Sequence, residues 1–193
     1  KALEYAARFF AEADAASGLS TKRTKSYILS LVRLGELRVD AGKYPDAEAA
    51  LNTAIDRYER ALSERRFKPD RRYGVAYSRL ADIYYRERMD FPGALSLYAE
   101  AEDNGYTSPE TDYRRGYIYY NDASEDGRKA LSFFYRAGLD SDPSPYLMWA
   151  TANALYVRGD YSAAQGYYSM LAQRMQFELD TLAVPAPQER ASH

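Results

Sequence analysis

Alanine recurs at one place in four helical segments of this chain: Ala47, Ala94, Ala130 and Ala164. The last two gaps are 36 and 34 residues. The setting repeats as well. Upstream lies a helical stretch with a small residue at its centre, then a turn. Four residues after each alanine comes a large ring or aliphatic side chain: Leu51, Tyr98, Phe134 or Tyr168. Self-similarity at a period of roughly 20–50 residues is the mark of stacked supersecondary units, each burying its apolar face against the next. The spacing predicts a solenoid of antiparallel helix hairpins. Such a frame usually binds rather than catalyses.

Composition fits that frame. The 193 residues suffice for one domain with a sizeable core. No apolar run approaches the ~18 residues of a membrane span. The net charge of −2 gives no global attraction to nucleic acid or anionic lipid. There is no cysteine, so disulfides and thiolate metal sites are absent. The chain opens at Lys1 inside a helical pattern, which reads as a piece of a longer protein and leaves its compartment open. Tyrosine is abundant, 20 residues in all, and most lie between Tyr73 and Tyr168. A tyrosine carries apolar area plus one hydroxyl, which suits repeat cores and protein-binding surfaces alike.

Helix formers fill the segments, and glycine and proline fall between them. The expected helices run over 2–16, 24–41, 45–65, 71–88, 92–103, 109–121, 127–138, 145–158 and 161–180. Pro45 suits a first helical turn, and Ser108-Pro109 and Asp142-Pro143 are natural starts. Residues 1–180 are expected to form the repeat domain. Residues 181–193, with Pro185 and Pro187, are expected to form a flexible tail.

The clearest unit is Leu34-Gly35, then Gly42-Lys43-Tyr44-Pro45-Asp46-Ala47, then Leu51 and Ala54. It recurs as Gly159-Asp160-Tyr161, Ala164, Tyr168 and Leu171, and more loosely around Ala81 with Ala94 and Gly116 with Ala130. This pattern resembles the tetratricopeptide repeat family across about residues 2–175. The resemblance implies an all-α, right-handed superhelical solenoid of about four hairpins, with a partial repeat at the start. The departures are specific. Ala47 and Ala94 lie 47 residues apart, so that unit has longer helices. The turn before Ala94 is one residue too long, and Arg115 stands where leucine is usual. The fourth unit has two possible registers: one puts Ala152 at the small position, the other aligns Trp149 and Tyr156 with the family's aromatic pair.

Residues for catalysis are scarce. The only histidine is His193, which removes histidine-based triads and ordinary zinc sites. No Walker loop, dinucleotide fingerprint or nucleophile elbow occurs. The expectation is therefore no enzyme, no cofactor and no metal. The run Asp122–Gly127 has the opening rhythm of a calcium loop, but its closing position is Phe133 where a glutamate is needed; it reads as a polar turn. From Arg57 to Arg88 ten basic residues face five acidic ones. That stretch reads first as a solvated hinge with arginines paired to Glu59, Glu64 and Asp70, and second as a patch for an acidic partner or nucleic acid.

In the resembled family the first helix of each hairpin lines a concave groove. Carried onto this chain, the groove-facing positions are Leu29, Val32, Glu36 and Val39; Ser78, Asp82 and Tyr85; Tyr113, Tyr117 and Tyr120; and Tyr146, Trp149, Asn153 and Tyr156. Helical spacing puts 113, 117 and 120 on one face, and likewise 146, 149, 153 and 156. The expected partner-binding residues are Tyr85, Tyr113, Tyr117, Tyr120, Tyr146, Trp149, Asn153 and Tyr156. Tyr84, Tyr98, Tyr119, Tyr161 and Tyr168 are expected in the core. The lysines of the family's carboxylate-clamping type are missing; Asn153 is the one match. The resulting expectation is an adaptor or scaffold binding a segment of another protein. The alternative is a structural subunit of a larger bacterial assembly, such as an envelope or flagellar scaffold, with self-association possible.

Overall fold

A computed structural model of the chain describes residues 1–17, 20–121 and 127–183. Among them every regular element is helical: α1 (Ala2–Ser17), α2 (Thr21–Asp40), α3 (Tyr44–Ser63), α4 (Arg71–Ile83), α5 (Phe91–Asp103), α6 (Pro109–Asn121), α7 (Arg128–Arg136), α8 (Pro145–Val157) and α9 (Tyr161–Ala183). None of these helices is long and apolar enough to cross a membrane. The chain forms two compact units, divided after Thr107.

The helix starts follow from local chemistry. Ser20, Asp70, Asp90 and Ser144 each accept a hydrogen bond from a backbone N–H of the following turn. These side chains satisfy donors that a helix start leaves free. Pro45, Pro92 and Pro145 occupy first-turn positions, where the missing N–H does no harm.

In the first unit α2 pairs with α3 and α4 with α5; α4 also packs on α3 and α2, and α1 lies on α2. Gly35 explains the close approach of α2 to α3. A Cβ there would meet the Leu51 side chain at 2.5 Å. The core centres on Ile28, Leu51, Tyr58, Tyr73 and Ile83. The Tyr58 ring stacks on Tyr73 at 4.4 Å, and its hydroxyl donates to Asn104 Oδ1. Tyr77, whose hydroxyl donates to Glu59 at 2.9 Å, is pushed well above the ordinary phenol range by burial and then by that carboxylate.

The surplus residue before Ala94 has a definite place. α4 continues into a π turn, Tyr84–Arg88, that widens the helix before Met89 (φ 52°) ends it. A π turn holds one residue more than an α turn, so the excess is taken up locally.

In the second unit α6 pairs with α7 and α8 with α9, while α8 also touches α7 and α6. Gly116 repeats the role of Gly35: a Cβ there would meet the Phe134 ring at 2.5 Å. Phe134, Leu131, Leu147, Ala150, Ala154 and Ala164 form the core. Arg115 is buried and is accommodated by charge and by a ring. Its guanidinium lies 4.2 Å from the Phe133 centroid, with the buried Asp112 carboxylate 4.0 Å away.

α9 is much longer than its partner α8. Arg174 ties it down, donating to Asp142 at 2.7 Å and to the Pro143 carbonyl at 3.0 Å. Beyond that tie Met175, Phe177 and Leu179 are exposed.

Two sets of expectations are corrected here. Tyr161 and Tyr168 are exposed rather than core residues, because among the described residues the helix packed on α9 is α8 alone. Val32, Val39, Ser78 and Asp82 are buried rather than groove-facing. α2 and α4 pack directly together, which closes the surface at these positions. Asp82 tolerates burial because the Tyr98 hydroxyl donates to it at 2.8 Å and Arg79 approaches at 3.5 Å. The run Asp122–Asp126, the tail after Ala183 and His193 lie outside the described residues.

Candidate partner-binding site

Ser108 caps the start of α6, its hydroxyl accepting from the Thr111 N–H at 3.2 Å. With Gly116 against α7, the tyrosines of the neighbouring helical face form a ladder. Tyr113 and Tyr117 stack at 6.2 Å, Tyr117 and Tyr120 tilt together at 6.2 Å, and Tyr113 rests on Phe134 at 6.0 Å. All three are half-buried. These rings have a fixed backing on one side and open area on the other.

α8 stands beside α6. Its alanines at 150, 152 and 154 are buried, which turns the large residues outward. Tyr146 is 76% exposed, Trp149 44% and Tyr156 58%. Ala152 is fully buried while Trp149 and Tyr156 lie outside. Tyr156 meets Tyr161 edge-on at 5.2 Å. Together with Ala164, Gln165 and Tyr168 these two tyrosines line a shallow cleft of about 380 Å³.

Asn153 of α8 reaches across to α9. Its Oδ1 accepts from the Tyr168 hydroxyl at 2.6 Å, while its Nδ2 is buried with no hydrogen-bond partner among the described residues. Burial pushes the Tyr113 hydroxyl above its ordinary range, and the Tyr117 and Tyr146 hydroxyls add to it. Burial raises Tyr120 likewise, with contributions from Tyr168 and Tyr117. Both phenols therefore stay protonated at neutral pH, and each offers a hydrogen-bond donor beside an apolar ring.

The structure thus brings together seven of the eight expected residues within the second unit. Tyr85 belongs to the first unit. It lies in the π turn, half-buried, with its ring 5.8 Å from Phe91. Tyr168 is the residue that reasoning from sequence missed. Its hydroxyl on Asn153 was concealed by the assumption that position 168 is core.

Four of the ten basic side chains in the stretch form ion pairs. Arg66 pairs with Glu64, Arg72 with Asp70, Arg79 with Asp82 and Arg88 with Glu48. Arg57 and Arg71 lie over the Tyr27 and Tyr106 rings. Glu59 instead takes the Tyr77 hydroxyl.

No protein-family model, no curated protein and no solved structure matches the chain.

Proposed function

We propose that the chain is an interaction module built of tetratricopeptide-like repeats, arranged as a right-handed superhelix, and that its second unit holds a segment of another polypeptide. The observation that carries this reading is the ring surface of α6 and α8. Tyr146, Trp149 and Tyr156 are exposed on α8 beside the half-buried ladder of Tyr113, Tyr117 and Tyr120. Tyrosine and tryptophan dominate interface hot spots because a stiff ring gives large contact area at small entropic cost. Each ring can bury up to about 150–250 Å², so a few of them supply much of the ~800 Å² per partner of a standard interface. The paired small and large residues of each hairpin, Gly35 with Leu51 and Gly116 with Phe134, support the repeat assignment. Binding needs no cofactor and no chemistry; its selectivity comes from ring pockets and from hydroxyl and Asn153 hydrogen bonds.

Affinity capture with wild-type and Trp149→Ala chains side by side tests the reading. A protein retained by the wild type and lost with the variant, at unchanged helicity and melting temperature, supports it. The expected loss is about 2 kcal/mol or more, as for a hot-spot residue. Equal retention by both chains, or collapse of the variant's fold, rejects it.

A second reading has its own observation. The outer face of α9 exposes Tyr168, Met175 and Leu179, which favours a subunit of a larger assembly joined through this end. Concentration-dependent mass in light scattering points to that role, and a clean monomer points away from it.

A further inference from the structure

The connection from α3 to α4 closes over a pocket in the first unit that the ring surface does not explain. It holds about 270 Å³ and is walled by Lys25 of α2 and by residues 65–70 and 73. Four of its lining residues are cationic: Lys25, Arg65, Arg66 and Lys68. Asp70 is the one anionic member, and its charge is already taken. Arg72 holds both of its oxygens, at 3.0 and 2.6 Å, which lowers its carboxyl to about 2.

The wall is assembled, not a loose fringe of side chains. Arg66 donates to Glu64 at 3.1 Å and to Thr24 Oγ1 at 3.0 Å, and so pins the connection to α2. Phe67 is buried at the base, with the Lys25 ammonium 5.4 Å above its ring and Tyr73 stacked at 5.5 Å. Tyr73 is 2% exposed, yet its hydroxyl has no hydrogen-bond partner among the described residues. Neither Arg65 nor Lys68 has an ion-pair partner among them.

Arg65 carries a further sign. It stands just past α3 with φ 56°, and its N–H bonds the Leu62 carbonyl at 2.9 Å. Glycine is the usual occupant of such a helix-ending position, since it enters the left-handed region without strain. An arginine kept there sets a guanidinium at the pocket at a conformational cost that glycine avoids.

We propose that this pocket binds a dianionic phosphate group, free or carried as a monoester. Arg65 and Lys68 are the cations of this wall without an ion pair among the described residues; two like charges held together repel, and a dianion relieves that repulsion where a single carboxylate leaves much of it. Phosphate also offers three acceptor oxygens, enough to satisfy a planar guanidinium fork and an ammonium together. The neighbouring backbone N–H groups of residues 65, 66 and 67 are spent on the Leu62 and Ala61 carbonyls. The side chains must therefore do the holding.

Calorimetric titration at low salt with inorganic phosphate and with a blocked Ala-phosphoserine-Ala peptide tests the proposal; the same peptide with glutamate is the control. Both phosphate probes are expected to bind, and the control to bind at least about tenfold more weakly. Arg65→Gly and Lys68→Met should each weaken the phosphate probes roughly tenfold. Arg65→Gly also removes the backbone strain, so its melting temperature should hold or rise, which separates lost binding from lost fold. Binding of free phosphate but not of the phosphopeptide supports the site with the free anion as its source. Failure of both probes, equal affinity for the glutamate peptide, or undiminished binding in both variants overturns it.

Discussion

Helices α3 and α9 start alike and end in different surroundings. Each opens on a tyrosine and places an alanine three residues later, then a large side chain after four more: Tyr44, Ala47, Leu51 against Tyr161, Ala164, Tyr168. The alanines are equally buried. From there the helices diverge. Leu51, Ile55 and Tyr58 are buried in α3, whereas Tyr168, Ala172 and Met175 are exposed in α9. The difference is α4, which packs across α3 and has no counterpart on α9 among the described residues. A hairpin fixes only one face of its second helix; the other face gets its environment from whatever comes next.

The sharpest way to break that comparison is to truncate equivalent positions. Tyr58 is 1% exposed and Met175 52%. Tyr58→Ala should cost about 3–5 kcal/mol, and Met175→Ala no more than about 0.5 kcal/mol, measured by denaturant unfolding. Comparable losses would mean that the outer face of α9 is sealed by something it packs against.

A smaller effect probes the face the two hairpins share. α8 has Ala152 where α2 has Gly35. Gly35→Ala drives a Cβ to 2.5 Å from Leu51, and should cost roughly 1–3 kcal/mol. A neutral outcome would show that α2 and α3 can part as freely as a hairpin built around alanine.

The smallest effect concerns the start of α4, the helix that makes α3 different. Asp70 caps it, and Arg72 lowers its carboxyl from 3.8 to about 2. A depressed folded-state value means stability that is present above the unfolded value and is lost as the carboxylate protonates. Thermal stability should therefore fall as pH drops from about 4 to about 2. Asp70→Asn should flatten that part of the profile and lower stability at neutral pH by up to about 1 kcal/mol. An unchanged acid limb would detach the cap from the stability of the α3–α4 pair.

Much of this was legible in the sequence. Glycine and proline marked the helix ends, and the recurring small residues marked where helices approach closely, as α2 and α3 do at Gly35. Helical spacing put Trp149 and Tyr156 on one face, and the family resemblance supplied the expectation that this face turns outward, as it does. What periodicity cannot supply is the identity of the covering element. Val32 and Val39 share a helical face with positions that stay open elsewhere, yet α4 lies on α2 and buries them. Tyr161 and Tyr168 repeat a core pattern, yet both stay exposed beside α8. The burial of Asp112 was invisible for a related reason: it rests on Arg115, which stands where the family pattern has leucine, and on Arg136 3.2 Å away across the hairpin.

The widened turn at Tyr84–Arg88 has a consequence for how such a chain changes its length. Asp90 still caps α5, and Ala94 and Tyr98 still reach full burial, although one residue too many precedes them. The error is quarantined within a single coil and never propagates as a phase shift into the next unit. A protein assembled from near-copies can thus gain a residue in one copy while its neighbours need no compensating edits.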